Sequence, residues 1–234
     1  MLNLQQIILT SMRNSGDARK ALEEWSTDPA YARIRALIET TYAQKMMGIG
    51  QFTAARSAVE KAERFDPNLI ETHLVRAELQ AETRLEDLRK VWAEDFRALA
   101  TYSYPGGRIN YYGQALAELR VAQGLLTDEA ARDPLRGPQV ASRMSALEQR
   151  IKAFYPFEVE KLSEDKSILV LTRLESSAAE VEVKGPRQTH KVAIPENGKA
   201  ELVLEGPGYV VINTPSGDKK ALFAEPFVKI TVDL

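Results

Sequence analysis

The amino-acid sequence predicts an α+β chain of two domains, an N-terminal array of α-helical hairpins and a C-terminal antiparallel β-sandwich. Three observations lead there. The hydrophobic period changes from about 3.6 to about 2 near Tyr155-Pro156. Ala, Leu, Arg, Glu and Gln dominate before that point, and Val, Thr, Gly and Pro rise after it. Turn signals then recur at roughly 8 to 12 residues, the spacing of short paired strands. A helix-period pattern cannot serve as a strand, so the shift marks a domain boundary. Residues 1–156 form the helical domain and residues 157–234 the all-β domain.

The helical part reads as successive helices separated by breakers. Helices are predicted over 2–13 and 18–25, split by Asn14-Ser15-Gly16-Asp17. The second stops at Asp28-Pro29, because the residue before a proline is pushed out of helical geometry. The next helices cover 30–47 and 52–65, with Gly48-Ile49-Gly50 as the turn between them and Asp66-Pro67-Asn68 as the stop. Helices follow over 69–81 and 85–99, then a loop at 101–108 containing Pro105-Gly106-Gly107. The last two are expected over 109–126 and 139–154, flanking a polar stretch with two prolines.

Beyond the boundary, strands are predicted at 158–162, 167–174, 179–184, 190–194, 200–204, 209–213, 220–224 and 228–232. Val181 and Val183 alternate with Glu180 and Glu182, and Val228, Ile230 and Val232 alternate with Lys229 and Thr231. One buried and one wet face is the mark of an antiparallel sheet.

The segment from Ala36 to Leu69 carries a spaced pattern. Ala43 is its eighth residue, Gly50 takes the turn, Phe52 follows, Ala55 and Ala62 are small, and Pro67 is the thirty-second residue. This resembles a tetratricopeptide repeat, a class with a period of about 34 residues. Glu39 and Val59 depart from it, standing where aromatics are usual. Weaker echoes, Gly16, Ala18 and Ala21 before it and Ala77 after it, extend the resemblance over about residues 2–100, with later helices as braces. In the β domain, the turn at Pro207-Gly208-Tyr209 resembles those of small carboxypeptidase-regulatory-like or PEGA-like sandwiches.

Composition narrows the function classes. With 31 basic against 33 acidic residues, the chain lacks the basic excess of a nucleic-acid binder. It has no cysteine, which removes disulfides and thiolate chemistry. No apolar run approaches the ~20 residues of a membrane span. Met1 to Thr10 does not read as a signal peptide, so the expected compartment is the cytoplasm, or the periplasm if a signal was trimmed.

No catalytic constellation, metal site or cofactor motif is expected. His73 lacks the partner four residues on that a zinc-binding helix needs, since residue 77 is Ala, and reads as a packed helix residue. His190 reads as a strand-edge residue. The spacing of a serine nucleophile elbow or a phosphate-binding loop occurs nowhere.

The resemblance implies a concave face lined by the first helix of each hairpin, on which a protein segment docks. The implied groove residues are Asn3, Gln6, Thr10 and Arg13, then Leu37, Thr40, Gln44 and Met47, then Glu71, Leu74 and Glu78. The opposing expectation is that so short an array has its face filled by later helices. Tyr102, Tyr104, Tyr111 and Tyr112 around a Gly-rich loop form a second candidate, since tyrosine gives large contact area with few rotors; packing is the stronger expectation for them. The predicted function is a non-catalytic adaptor or scaffold for a protein or peptide partner, by analogy a part of a bacterial envelope or secretion assembly. The alternatives are an accessory hydrolase with acidic residues in an interdomain cleft, or a carbohydrate-binding β module. The oligomeric state is left open.

Overall fold

The helix α1 (Ala32–Gly48) ends in a Schellman turn, with Gly50 at φ +76°. The Gly50 N–H donates to the Met47 carbonyl at 3.0 Å and the Gln51 N–H to the Met46 carbonyl at 2.8 Å. These bonds satisfy carbonyls the helix end would otherwise orphan, and glycine adopts that φ without a Cβ penalty. The chain then reverses into α2 (Phe52–Phe65). Asp66-Pro67-Asn68 closes α2, its Asp66 Oδ1 accepting the Asn68 N–H at 3.0 Å, and α3 (Ile70–Glu82) follows. The computed structural model describes residues 31–82, 110–130, 136–173, 179–196, 198–214 and 216–234. The helices predicted over 2–13, 18–25 and 85–99 and the loop at 101–108 lie outside these.

The three helices pack through small side chains. Ala43, Ala55, Ala58, Val59, Val75 and Leu79 form one buried cluster, and Ala36, Ala62 and Leu69 another. Alanine at a helix crossing brings the backbones close, which maximises the dispersion contacts of the neighbouring Val and Leu. Thr40 closes a polar gap between α1 and α3: its hydroxyl lies 2.9 Å from that of Thr72 and 2.8 Å from the Ala36 carbonyl.

Two further helices are α4 (Tyr112–Ala130) and α5 (Arg136–Lys152). The last begins before its predicted start because Pro138 lies in its first turn, where a missing N–H costs nothing. Gly137, Met144, Leu147 and Ile151 are its buried residues, on one stripe. The chain divides into two compact units, Met1–Glu82 with Glu118–Leu147, and Thr83–Ala117 with Glu148–Leu234.

The strands are β1 (Glu158–Lys161), β2 (Ser167–Thr172), β3 (Ala179–Lys184), β4 (Thr189–Ile194), β5 (Lys199–Leu204), β6 (Gly208–Asn213), β7 (Lys219–Ala224) and β8 (Val228–Asp233). They form two four-stranded sheets, ordered β1-β8-β2-β5 and β4-β3-β6-β7. The second is antiparallel throughout. The first departs from the expected antiparallel pairing. Its two central strands, β2 and β8, run parallel, with Ser167 opposite Val228 and Leu171 opposite Val232. Alternation fixes which face is buried, and it says nothing about strand direction. The parallel pair is joined through the whole of the other sheet, a connection that no local turn signal encodes.

Register places the buried side chains in rows. In the mixed sheet, Val159 of β1 stands beside Ile230, Ile230 beside Leu169, and Leu169 beside Leu202. In the antiparallel sheet, Val192, Val181 and Val183, Ile212 and Val210, and Leu222 share one face. Each fully buried Val, Leu or Ile contributes about 1.5–3 kcal/mol. At the start of β6, a Cβ on Gly208 would lie 2.7 Å from Pro186 in the β3–β4 turn. Gly208→Ala is therefore expected to cost about 1–3 kcal/mol by overpacking, read as a lower urea midpoint at unchanged slope; an unshifted midpoint would mean that the proline moves freely aside.

Candidate functional site

Among the described residues three carboxylates are buried, Glu39 and Glu118 in the first unit and Glu225 in the second, and the last two have their partners on other elements. In the first unit, Glu118 on α4 is 4% exposed and faces His73 on α3, which is equally buried. Its Oε2 lies 2.8 Å from His73 Nδ1, and the other ring nitrogen, Nε2, lies 2.8 Å from the Pro67 carbonyl. A carbonyl only accepts, so Nε2 carries a hydrogen and donates it. A hydrogen must also lie between Nδ1 and Oε2, whichever atom it formally belongs to. Both ring nitrogens are thus engaged. Glu118 Oε1 also lies 3.7 Å from the Arg76 guanidinium, which donates two hydrogen bonds to Glu63 at 3.1 and 2.5 Å. The network Pro67–His73–Glu118–Arg76–Glu63 pins α2, α3 and α4 together. Its chemistry is that of a structural tie, since a general base needs a free lone pair within reach of a reactant.

In the second unit, Glu225 follows β7 and is fully buried. Its Oε1 accepts the Gly113 N–H and its Oε2 the Gln114 N–H, each at 2.8 Å. These are two of the N–H groups that the start of α4 leaves without helical partners. The sequence Asn110-Tyr111-Tyr112 offers no capping side chain directly before the helix, and a carboxylate more than a hundred residues away supplies the cap. The Gln114 side chain donates to the Pro226 carbonyl at 2.9 Å, and the Ser167 hydroxyl donates to the Glu225 carbonyl at 2.6 Å. Burial pushes the Glu225 carboxyl up to about 8, against the two backbone donors, which hold it down.

Of the groove residues, Thr40 and Leu74 are buried. Leu37 and Met47 are partly buried against the two helical clusters, and Gln44 and Glu71 are half-buried. Glu78 receives two hydrogen bonds from the Arg143 guanidinium of α5, at 2.6 and 2.7 Å to its two oxygens, and a third from Nε at 2.9 Å. Asn3, Gln6, Thr10 and Arg13 lie outside the described residues, as do Tyr102 and Tyr104. Tyr111 is buried, and Tyr112 stacks on Phe154 at 6.0 Å and tilts against Tyr155 at 6.4 Å. His190 lies on β4, an edge strand.

Sequence reasoning passed over Glu118 and Glu225. Glu118 stands in the run Ala115-Leu116-Ala117-Glu118-Leu119, all buried, where a lone acid on a helix reads as a solvated position. For Glu225 one signal existed: a helix start without its own cap requires a donor-satisfying group from elsewhere. Among the described residues, no helix is long and apolar enough to cross a membrane, and no group of three His, Asp or Glu is arranged to hold a metal ion.

The comparisons with known proteins leave the family open: no protein-family model, no curated protein and no solved structure matches the chain.

Proposed function

We propose that the chain is a non-catalytic adaptor whose helical part holds a segment of a protein partner. The observation that supports this best is the α1–α2–α3 stack, with alanines at its crossings, a glycine-capped turn after α1 and a proline stop after α2. These are the positions on which the tetratricopeptide resemblance rests, and stacked hairpins of that class offer a helix-lined face to an extended segment. On this reading the half-buried Gln44, Met47 and Glu71 meet the partner, Thr40 and Leu74 form the floor beneath them, and Arg143–Glu78 closes one end. The role of Glu118 and Glu225 as internal ties fits a scaffold better than a hydrolase, which needs an acid turned toward a reactant.

Site-specific photocrosslinking in the source cells tests the proposal. A crosslinker at Gln44 is expected to give a discrete protein adduct that one at Ser57, on the exposed side of α2, does not give. Gln44→Arg/Glu71→Arg is expected to weaken capture of that same protein at least tenfold while leaving the melting curve in place. Identical adducts from both positions, or capture indifferent to the charge changes, would remove α1 and α3 as the docking face.

A further inference from the structure

The turn between β7 and β8 carries an unresolved conflict. When ionised, Glu225 satisfies the Gly113 and Gln114 N–H groups with one oxygen each, yet buries a whole charge. When protonated, it sheds the charge but turns an O–H toward N–H donors, which want acceptors. Neither state is fully satisfied. The turn is strained as well: Phe227, a bulky residue, is held at φ +62° and is 41% exposed. Five hydrogen bonds hold it down, from Gly113, from the backbone and side chain of Gln114, from Ser167, and from the Leu162 N–H to the Phe227 carbonyl at 2.7 Å.

We infer that this turn is a pH-sensitive latch on the N-terminus of α4, with Glu225 as its titrating group. The groups facing it are known element by element among the described residues. From α4 come the two amides and the Gln114 carboxamide, and from β2 the Ser167 hydroxyl. From the segment after α5 comes Tyr155, whose hydroxyl donates to the Phe223 carbonyl at 3.3 Å. From β6 comes Tyr209, edge-on to Phe223, its own hydroxyl pushed up to about 12 by burial. Burial and the two backbone donors account for the Glu225 shift, with no charged side chain as counterweight.

The sign follows from linkage. The closed latch holds a carboxyl near 8, whereas the open, hydrated one titrates in the ordinary range near 4.5. Closure is therefore most favourable below about 4.5 and weakens as pH rises through about 8, by about tenfold per unit across most of that window. Opening hydrates the carboxylate, uncaps α4 and frees Phe227 from its strained conformation.

Amide hydrogen exchange between pH 5 and 9, corrected for intrinsic rates, reads this out. Protection of Gly113 and Gln114 is expected to fall about tenfold per pH unit up to about 8 and then level off. It should stay about tenfold or more below that of Val210 and Ile212 in β6, marking a local opening, while Val75 and Leu79 in α3 stay flat. Glu225→Gln, which cannot ionise, should flatten the Gly113 and Gln114 profiles. A flat profile in the parent, an unchanged slope in the variant, or protection equal to that of β6 would each overturn the latch. Should the variant fail to fold, the carbon-13 titration of the Glu225 carboxyl in the parent decides: a midpoint near 8 supports the latch and one near 4.5 overturns it.

Discussion

Replacing Glu118 by Ala is expected to destabilise the helical unit by about 3–5 kcal/mol, among the largest single losses available there. The side chain is the common partner of His73, which is buried, and Arg76, which is half-buried. Removing it leaves the Nδ1 side of the ring facing a void, with its shared hydrogen unplaced. Arg76 keeps its bidentate partner Glu63, so the damage centres on the histidine. Two comparisons separate the tie from simple loss of volume. His73→Leu alone should cost nearly as much, because it strands the Glu118 carboxylate beside one guanidinium and leaves the Pro67 carbonyl without its donor. His73→Leu/Glu118→Ala should cost clearly less than the sum of the two single changes, since an apolar pair removes both desolvation penalties together. Urea unfolding measures all three; strict additivity within about 0.5 kcal/mol would show that the two side chains do not act as a pair.

Where the sequence spoke clearly, local chemistry was the reason. Gly50 and Pro67 bracket α2 because a left-handed residue and a helix-breaking ring act within a few residues of where they stand. The alternation in Val181–Val183 and Val228–Val232 translates directly into buried rows, since the side-chain period of a strand is two. The features that stayed hidden are long-range. Parallel pairing of β2 with β8 depends on how the intervening strands cross, and the sequence of either strand would serve in both directions. The cap on α4 comes from a residue 111 positions beyond Gln114. The place of Glu78 on α3 is legible from spacing, but its pairing with Arg143 of α5 is not. For the tyrosines, packing is the stronger expectation from sequence, but the partners are not legible there: Tyr112 meets Phe154 and Tyr155, and Tyr111 is buried.

Phe223→Ala is expected to cost the β unit about 3–5 kcal/mol, while Phe227→Gly, four residues on, should leave stability within about 1 kcal/mol of the parent. Alternation alone would put Phe223 on the wet side of β7, because its neighbours Leu222 and Ala224 point toward the row shared with Val210 and Ile212. Yet Phe223 is 1% exposed. It meets Tyr209 edge to face, with ring centroids 5.3 Å apart, and its carbonyl takes the Tyr155 hydroxyl. At this end of β6 and β7 both faces of the sheet are therefore covered. Truncating Phe223 opens a ring-sized cavity and removes the aromatic contact with Tyr209, worth a further ~0.5–1.5 kcal/mol beyond area burial. Phe227 differs in every respect that matters. It is 41% exposed and occupies the left-handed region at φ +62°. Glycine there relieves about 1–2 kcal/mol of backbone strain and gives most of it back as extra freedom of the unfolded chain. Guanidinium unfolding of the two variants should thus show one midpoint far below the parent and one beside it, at a common slope. Equal losses would mean that the exposed ring is as deeply embedded as the buried one, and the two-sided burial of β7 would lose its meaning.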